Sequence, residues 1–126
     1  LRGDAYRVLE INPRPCATMD LYDADCTESL FAWHLRACHG ELPQAQLVTQ
    51  KTVRGHAVVH AERTLRIPMN MKFPEWVSDI PGADRQFAPG APLCMVHAQG
   101  ASTQQVKRLL IQRQAAIARA ITEEAA

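Results

Sequence analysis

The amino-acid sequence predicts an α+β protein, with helices set apart from a small antiparallel sheet. Three observations carry that prediction. Residues 5–12 and 53–67 alternate apolar and polar positions among strand-forming residues. Two stretches, one after Asp25 and one after Ser102, have helical spacing and residues suited to capping. The strands predicted between residues 53 and 98 follow one another with no helix between them, as antiparallel strands do.

The elements follow in order. In "AYRVLEIN", Arg7, Leu9 and Ile11 face one way, and Tyr6, Val8, Glu10 and Asn12 the other. Pro13 and Pro15 end this strand, because neither can donate to a ladder. A loop runs to Cys26. Asp25 and Glu28 then have the spacing of a capping box for a first helix. Leu30, Phe31, His34, Leu35 and Cys38 share one helical face, and Gly40 stands where a terminating glycine belongs. "VRGHAVVHAER" sets His56, Val58 and His60 against Ala57, Val59 and Ala61. With "LRI" at 65–67 it reads as a strand pair or one long bent strand, stopped by Pro68. The proline-rich stretch 68–92 reads as a long ordered loop anchored by Phe73, Trp76 and Phe87. "LCMVHA", residues 93–98, is a short buried strand broken by Gly100. Ser102 and Gln105 form a second capping box. The helix after it runs to Ile121, with Val106, Leu109, Leu110, Ile117 and Ile121 on its buried stripe. The expected order is β-α-β-β-β-α.

Composition narrows the function classes. At 126 residues, 47% hydrophobic and 21% charged, the chain is long and apolar enough to build a core. A net charge of +1 with mixed signs argues against a nucleic-acid groove or a polybasic membrane patch. No apolar run approaches the roughly 20 residues that span a bilayer. Cys16, Cys26, Cys38 and Cys94 form no CxxC pair, so they read as reduced thiols of a cytoplasmic protein.

Glu10, Asn12 and Arg14 stand out. Residues i and i+2 of a strand point to one face, about 7 Å apart. Glu10 and Asn12 thus offer two hard oxygen donors to one spot, which suits Mg²⁺. Arg14, held between two prolines, is placed as a bidentate clamp for phosphate or carboxylate. The residue types alone also fit a half-exposed strand, with Glu10 solvated, Asn12 opening a turn and Arg14 on the surface.

The string Glu10-Ile11-Asn12-Pro13-Arg14 resembles the Glu-x-Asn-Pro-Arg segment of the ATP-grasp superfamily, which includes biotin carboxylase, carbamoyl phosphate synthetase and the carboxylate–amine ligases. "RGHAVVHAE" resembles the Gly-His-Ala segment of carboxylase-like members, and "PGAPLCMVHAQGAS" looks like the end of their small β-rich subdomain. The resemblance implies two regions. Residues 1–42 would be the end of the catalytic domain, a strand plus a helix, and 43–126 a β-rich subdomain with a final helix. It implies Mg²⁺ and ATP as cofactors. Glu10 and Asn12 would be metal ligands at the nucleotide phosphates, and Arg14 the catalytic arginine at the transferring phosphoryl group. It implies a ligase that activates a small carboxylate as an acyl-phosphate for attack by an amine. The chain has no Gly-rich phosphate loop, and Lys51, Lys72 and Lys107 do not sit in an adenine-pocket wall. Arg2-Gly3-Asp4 looks like a hairpin turn from a preceding strand that, in the family, carries another acidic ligand. The expectation is a C-terminal fragment, inactive alone, whose partner is the N-terminal part of the same ligase. The other reading is a self-contained assembly module, with a homodimer formed through strand 5–12.

His56 and His60 lie about 13 Å apart on a strand, too far to share a metal. His34, Cys38 and His39 match no zinc spacing, and Arg36 and His39 suit the negative end of a helix dipole. Cys94 and His97 fall on opposite strand faces, which excludes a nucleophile–base pair. Cys16 is either a buried small residue or a lining of the substrate side. Asp20, Asp23, Asp25 and Glu28 suit the positive end of a helix, or a substrate amine.

Overall fold

Two long antiparallel strands and a helix of 22 residues lying on them organise the second half of the chain. The structure is a computed structural model and describes residues 8–42 and 52–124. The chain divides into two units, Leu1–Val48 and Thr49–Ala126.

In the first unit, residues 8–13 form no strand, which corrects the strand expected at 5–12; residues 5–7 of that expectation lie outside the described residues. A strand exists only through its ladder, and periodicity cannot supply the partner. Two 3₁₀ turns follow, Ala17–Leu21 and Asp23–Asp25. Helix α1, Leu30–Cys38, starts later than the Asp25 capping box predicts. Ser29 is its N-cap and its hydroxyl accepts from the Phe31 amide at 3.2 Å. Asp23 reaches forward to accept from the Leu30 amide at 2.6 Å. These two side chains satisfy donors that the first helical turn cannot. Gly40 closes the helix with φ +80. There the Glu41 amide donates to Arg36 O and the Gly40 amide to Ala37 O, both at 3.0 Å.

The second unit holds β1 (Val53–His60), β2 (Leu65–Arg66), β3 (Val77–Ser78), β4 (Gln86–Phe87), β5 (Pro92–Gly100) and α2 (Thr103–Glu124). One sheet has the order β1-β5-β3, and β2 pairs with β4 in a second, two-stranded sheet. All pairings are antiparallel. The α+β class and the C-terminal helix are therefore as the sequence implies. In β1 and β5 the register sets Gly55 opposite Ala98, Ala57 opposite Val96 and Val59 opposite Cys94. This face carries α2. A Cβ on Gly55 would stand 3.1 Å from Val106 Cγ1 and 3.3 Å from Leu110 Cδ1, so the missing side chain is what lets the helix sit this close. Val106, Ile117 and Ile121 of α2 are buried, and Val59, Ile67, Val77, Phe87, Leu93 and Val96 meet them or each other in the core.

The stretch 68–92 is ordered as expected, and Phe73, Trp76 and Phe87 do pack on the core. It also contains β3 and β4, which the loop reading omitted. Residues 62–89 leave and rejoin the sheet at one place. The Ala61 amide donates to Ala91 O at 2.9 Å, and the Gly90 amide donates to Ala61 O at 2.7 Å. Ala88-Pro89-Gly90-Ala91 turns the chain there, with the Ala91 amide on Ala88 O at 3.1 Å. Pro89 fixes the first corner and Gly90, at φ +80, supplies the left-handed second corner.

Candidate functional site

The candidate site starts from the local chain at 10–16. The Asn12 side-chain amide donates to Glu10 Oε1 at 3.1 Å. The Arg14 amide donates to Asn12 O at 2.8 Å, turning the backbone before Pro15. Glu10, Asn12 and Arg14 are all exposed. The structure sets the Glu10 and Asn12 side chains in direct contact, but in a stretch without a ladder, so the strand geometry that the i, i+2 spacing presupposes is absent. Both present hard oxygens to solvent. Rotation of the Asn12 amide about its broad terminal torsion exchanges Nδ2 for Oδ1 and would place two oxygens at one point. That donor set fits a hard divalent cation such as Mg²⁺.

Cys16 lies just beyond. Its Sγ is 3.0 Å from the Thr18 hydroxyl, and its amide donates to Met19 Sδ at 3.4 Å. The Thr18 hydrogen bond holds the thiol below its ordinary 9.0, and the Arg14 guanidinium adds a smaller pull in the same direction. Cys16 is exposed, so the reading of it as a buried small residue is corrected. Cys26 behaves oppositely. Loss of solvent and the charges of Asp23 and Asp25 raise its thiol.

The remaining candidates separate cleanly. Of the acidic cluster, Asp23 caps α1 and Glu28 pairs with Arg36 at 2.9 Å, which is the helix-terminus role. Cys38 Sγ lies 3.9 Å from His34 Nε2, a contact between successive turns of α1. Among the described residues no three His, Cys, Asp or Glu side chains gather around one point. His60 is exposed and is not brought to His56.

Cys94 and His97 do lie on opposite faces of β5. Cys94 belongs to the core, and burial, with the nearby Asp79 charge, pushes its thiol up to about 11. His97 instead meets Ser78, with Nε2 2.6 Å from the hydroxyl oxygen, and its ring stands edge-on to His56 at 6.2 Å. Sequence spacing does not reveal the Ser78–His97 contact, because it depends on β3 pairing with β5. Arg113 of α2 donates to His97 O and lies over the Trp76 ring, 4.7 Å from its centre. Gln114 donates to Val58 O at 2.8 Å. These are structural ties between helix and sheet.

Among the described residues no helix is long and apolar enough to cross a membrane. Compared with known families, curated proteins and solved structures, the chain matches none.

Proposed function

We propose that this chain supplies part of the nucleotide site of an ATP-grasp-type ligase, a Mg²⁺-dependent enzyme of the cytoplasm. The reading is carried by the Glu10–Asn12 contact at 3.1 Å inside the string "EINPR", with Arg14 directly after it. Glu10 and Asn12 would hold Mg²⁺. When bound, the metal neutralises charge on the phosphate oxygens and aligns them. Arg14 offers its planar fork of donors to the phosphoryl oxygens as charge moves onto them. Such a transfer needs positioned charge more than a protein nucleophile, which agrees with an exposed trio lacking a paired base. The substrate would be a small carboxylate, activated as an acyl-phosphate and then attacked by an amine. The rest of the nucleotide cleft would come from the N-terminal part of the same ligase.

Two measurements test this. Residues 1–126 alone should bind Mg·ATP weakly, with a dissociation constant on the order of 1 mM or above. In a protein holding both lobes, Asn12→Ala should lower kcat/KM for the ATP-dependent reaction about 100-fold or more. Micromolar binding by the chain alone would remove the shared-site reading, and an unaffected Asn12→Ala enzyme would remove the ligase reading.

One observation favours a second reading. Val8, Leu9 and Ile11 are 71%, 95% and 82% exposed, an apolar run with nothing over it among the described residues. In an assembly module this run would pair with its equivalent in a second copy. Asn12→Ala then leaves function intact, while Leu9→Asp abolishes self-association on a sizing column.

A further inference from the structure

A cavity of about 340 Å³ opens in the second unit, between β1, β4, β5 and the chain around residues 79–85. Its walls include Val58, Phe87, Leu93 and Met95, an apolar surface of the size that small-ligand sites use. Two charged residues, Asp79 and Arg85, line the same space.

Asp84, next to Arg85, is paired with Arg66 at 3.0 Å. Asp79 and Arg85 have no ion pair or side-chain hydrogen bond among the described residues, with each other or with anything else. The Arg85 guanidinium rests over the Phe87 ring, 5.0 Å from its centre, and so keeps its donors available. Asp79 is held in the left-handed region at φ 52, which an aspartate adopts at a cost that tertiary packing must cover. Its carboxylate acts on the Cys94 thiol at the cavity wall, so its charge is felt inside. The Cys94 thiol itself is neutral near pH 7 and serves as apolar wall.

An anion alone would answer Arg85 and be repelled by Asp79. A cation alone would do the reverse. We propose that this cavity binds a small zwitterion with an apolar side chain, of the class of a free apolar amino acid. Its carboxylate would meet Arg85, its ammonium would meet Asp79, and its side chain would lie against Val58, Phe87, Leu93 and Met95. The proposal belongs to the second unit and stands independently of any nucleotide at Glu10 and Asn12.

The test titrates the full chain with L-phenylalanine and L-leucine, following amide and methyl NMR signals. Phenethylamine, which lacks the carboxylate, and N-acetyl-L-phenylalanine, which lacks the cation, are run beside them. One of the two amino acids should bind with a dissociation constant on the order of 1 mM or tighter and shift signals of Val58, Leu93 and Met95. Each singly charged analogue should bind about 10-fold more weakly. Asp79→Asn, which tolerates the left-handed backbone, and Arg85→Gln should each lower amino-acid affinity by a similar factor with an unchanged thermal midpoint. Failure of both amino acids to bind in the low millimolar range overturns the proposal. So does equal binding of the analogues, or unchanged affinity in both variants.

Discussion

Two cysteines show how far one residue type can be driven apart within a chain. Cys16 stands exposed beside Thr18, whose hydroxyl favours the thiolate, while Cys94 is buried and pushed up to about 11. Cys94 therefore links stability to alkaline pH. Below 9.0 the thiol is protonated whether the chain is folded or not. Between 9.0 and about 11 the unfolded chain gives up this proton first. The native state then binds more protons than the unfolded one, and stability falls as pH rises. The urea midpoint should drop between about pH 8 and about pH 10, and Cys94→Ala should show a smaller drop. Comparing slopes separates this effect from the small loss of packing that the substitution brings at every pH. Alkylation mapped by mass spectrometry should label Cys16 well before Cys94.

The contact between β1 and α2 depends on an absent side chain. Gly55→Val would push a branched group into Val106 and Leu110, at 3.1 and 3.3 Å from its first atom, and should destabilise by about 1–3 kcal/mol in urea titration. Gly82→Ala, with open space around it, should change stability by less than about 1 kcal/mol. The elements that could be read from the amino-acid order are those whose signal repeats. Val106, Leu110, Ile117 and Ile121 recur at helical spacing and do line α2's inner face, while Leu109 of the expected stripe is only half-buried and outside the core cluster; the alternation of 53–60 and 93–98 returns as β1 and β5. β3 and β4 have two residues each, too few for any period to show, and exist because β5 and β2 offer them partners. Residues 8–12 fail in the opposite way, with a period but no ladder. The same logic sorts the sites. Glu10 and Asn12 are near neighbours in the chain and touch through a local side-chain hydrogen bond, not through the strand pattern. Val58, Asp79, Arg85 and Met95 share a cavity only after the chain has folded back on itself, and no local pattern announces that.

At the scale of the molecule, every buried hydrophobic side chain among the described residues falls between Val59 and Ile121. A core drawn wholly from one stretch predicts that the stretch folds by itself. Residues 52–126, expressed alone, should lose their circular dichroism in one cooperative urea transition, with a slope of about 1 kcal/mol/M. A gradual, slopeless loss would mean that the core needs more of the chain. How that unit reaches its native state follows from the pinch at Ala61, where the chain departs at 62 and comes back at 89 through one pair of hydrogen bonds. Until that pinch forms, β1 and β5 are the ends of a long open loop, and their ladder must bear its full closure entropy. The contact that closes the 62–90 loop bears that entropy; with Ala61 bonded to Gly90 and Ala91, each further β1–β5 pair adds at the small cost of a hairpin. If the pinch forms before the ladder, Gly90→Ala, which strains the corner at φ +80, should slow refolding in a urea-jump experiment more than it speeds unfolding.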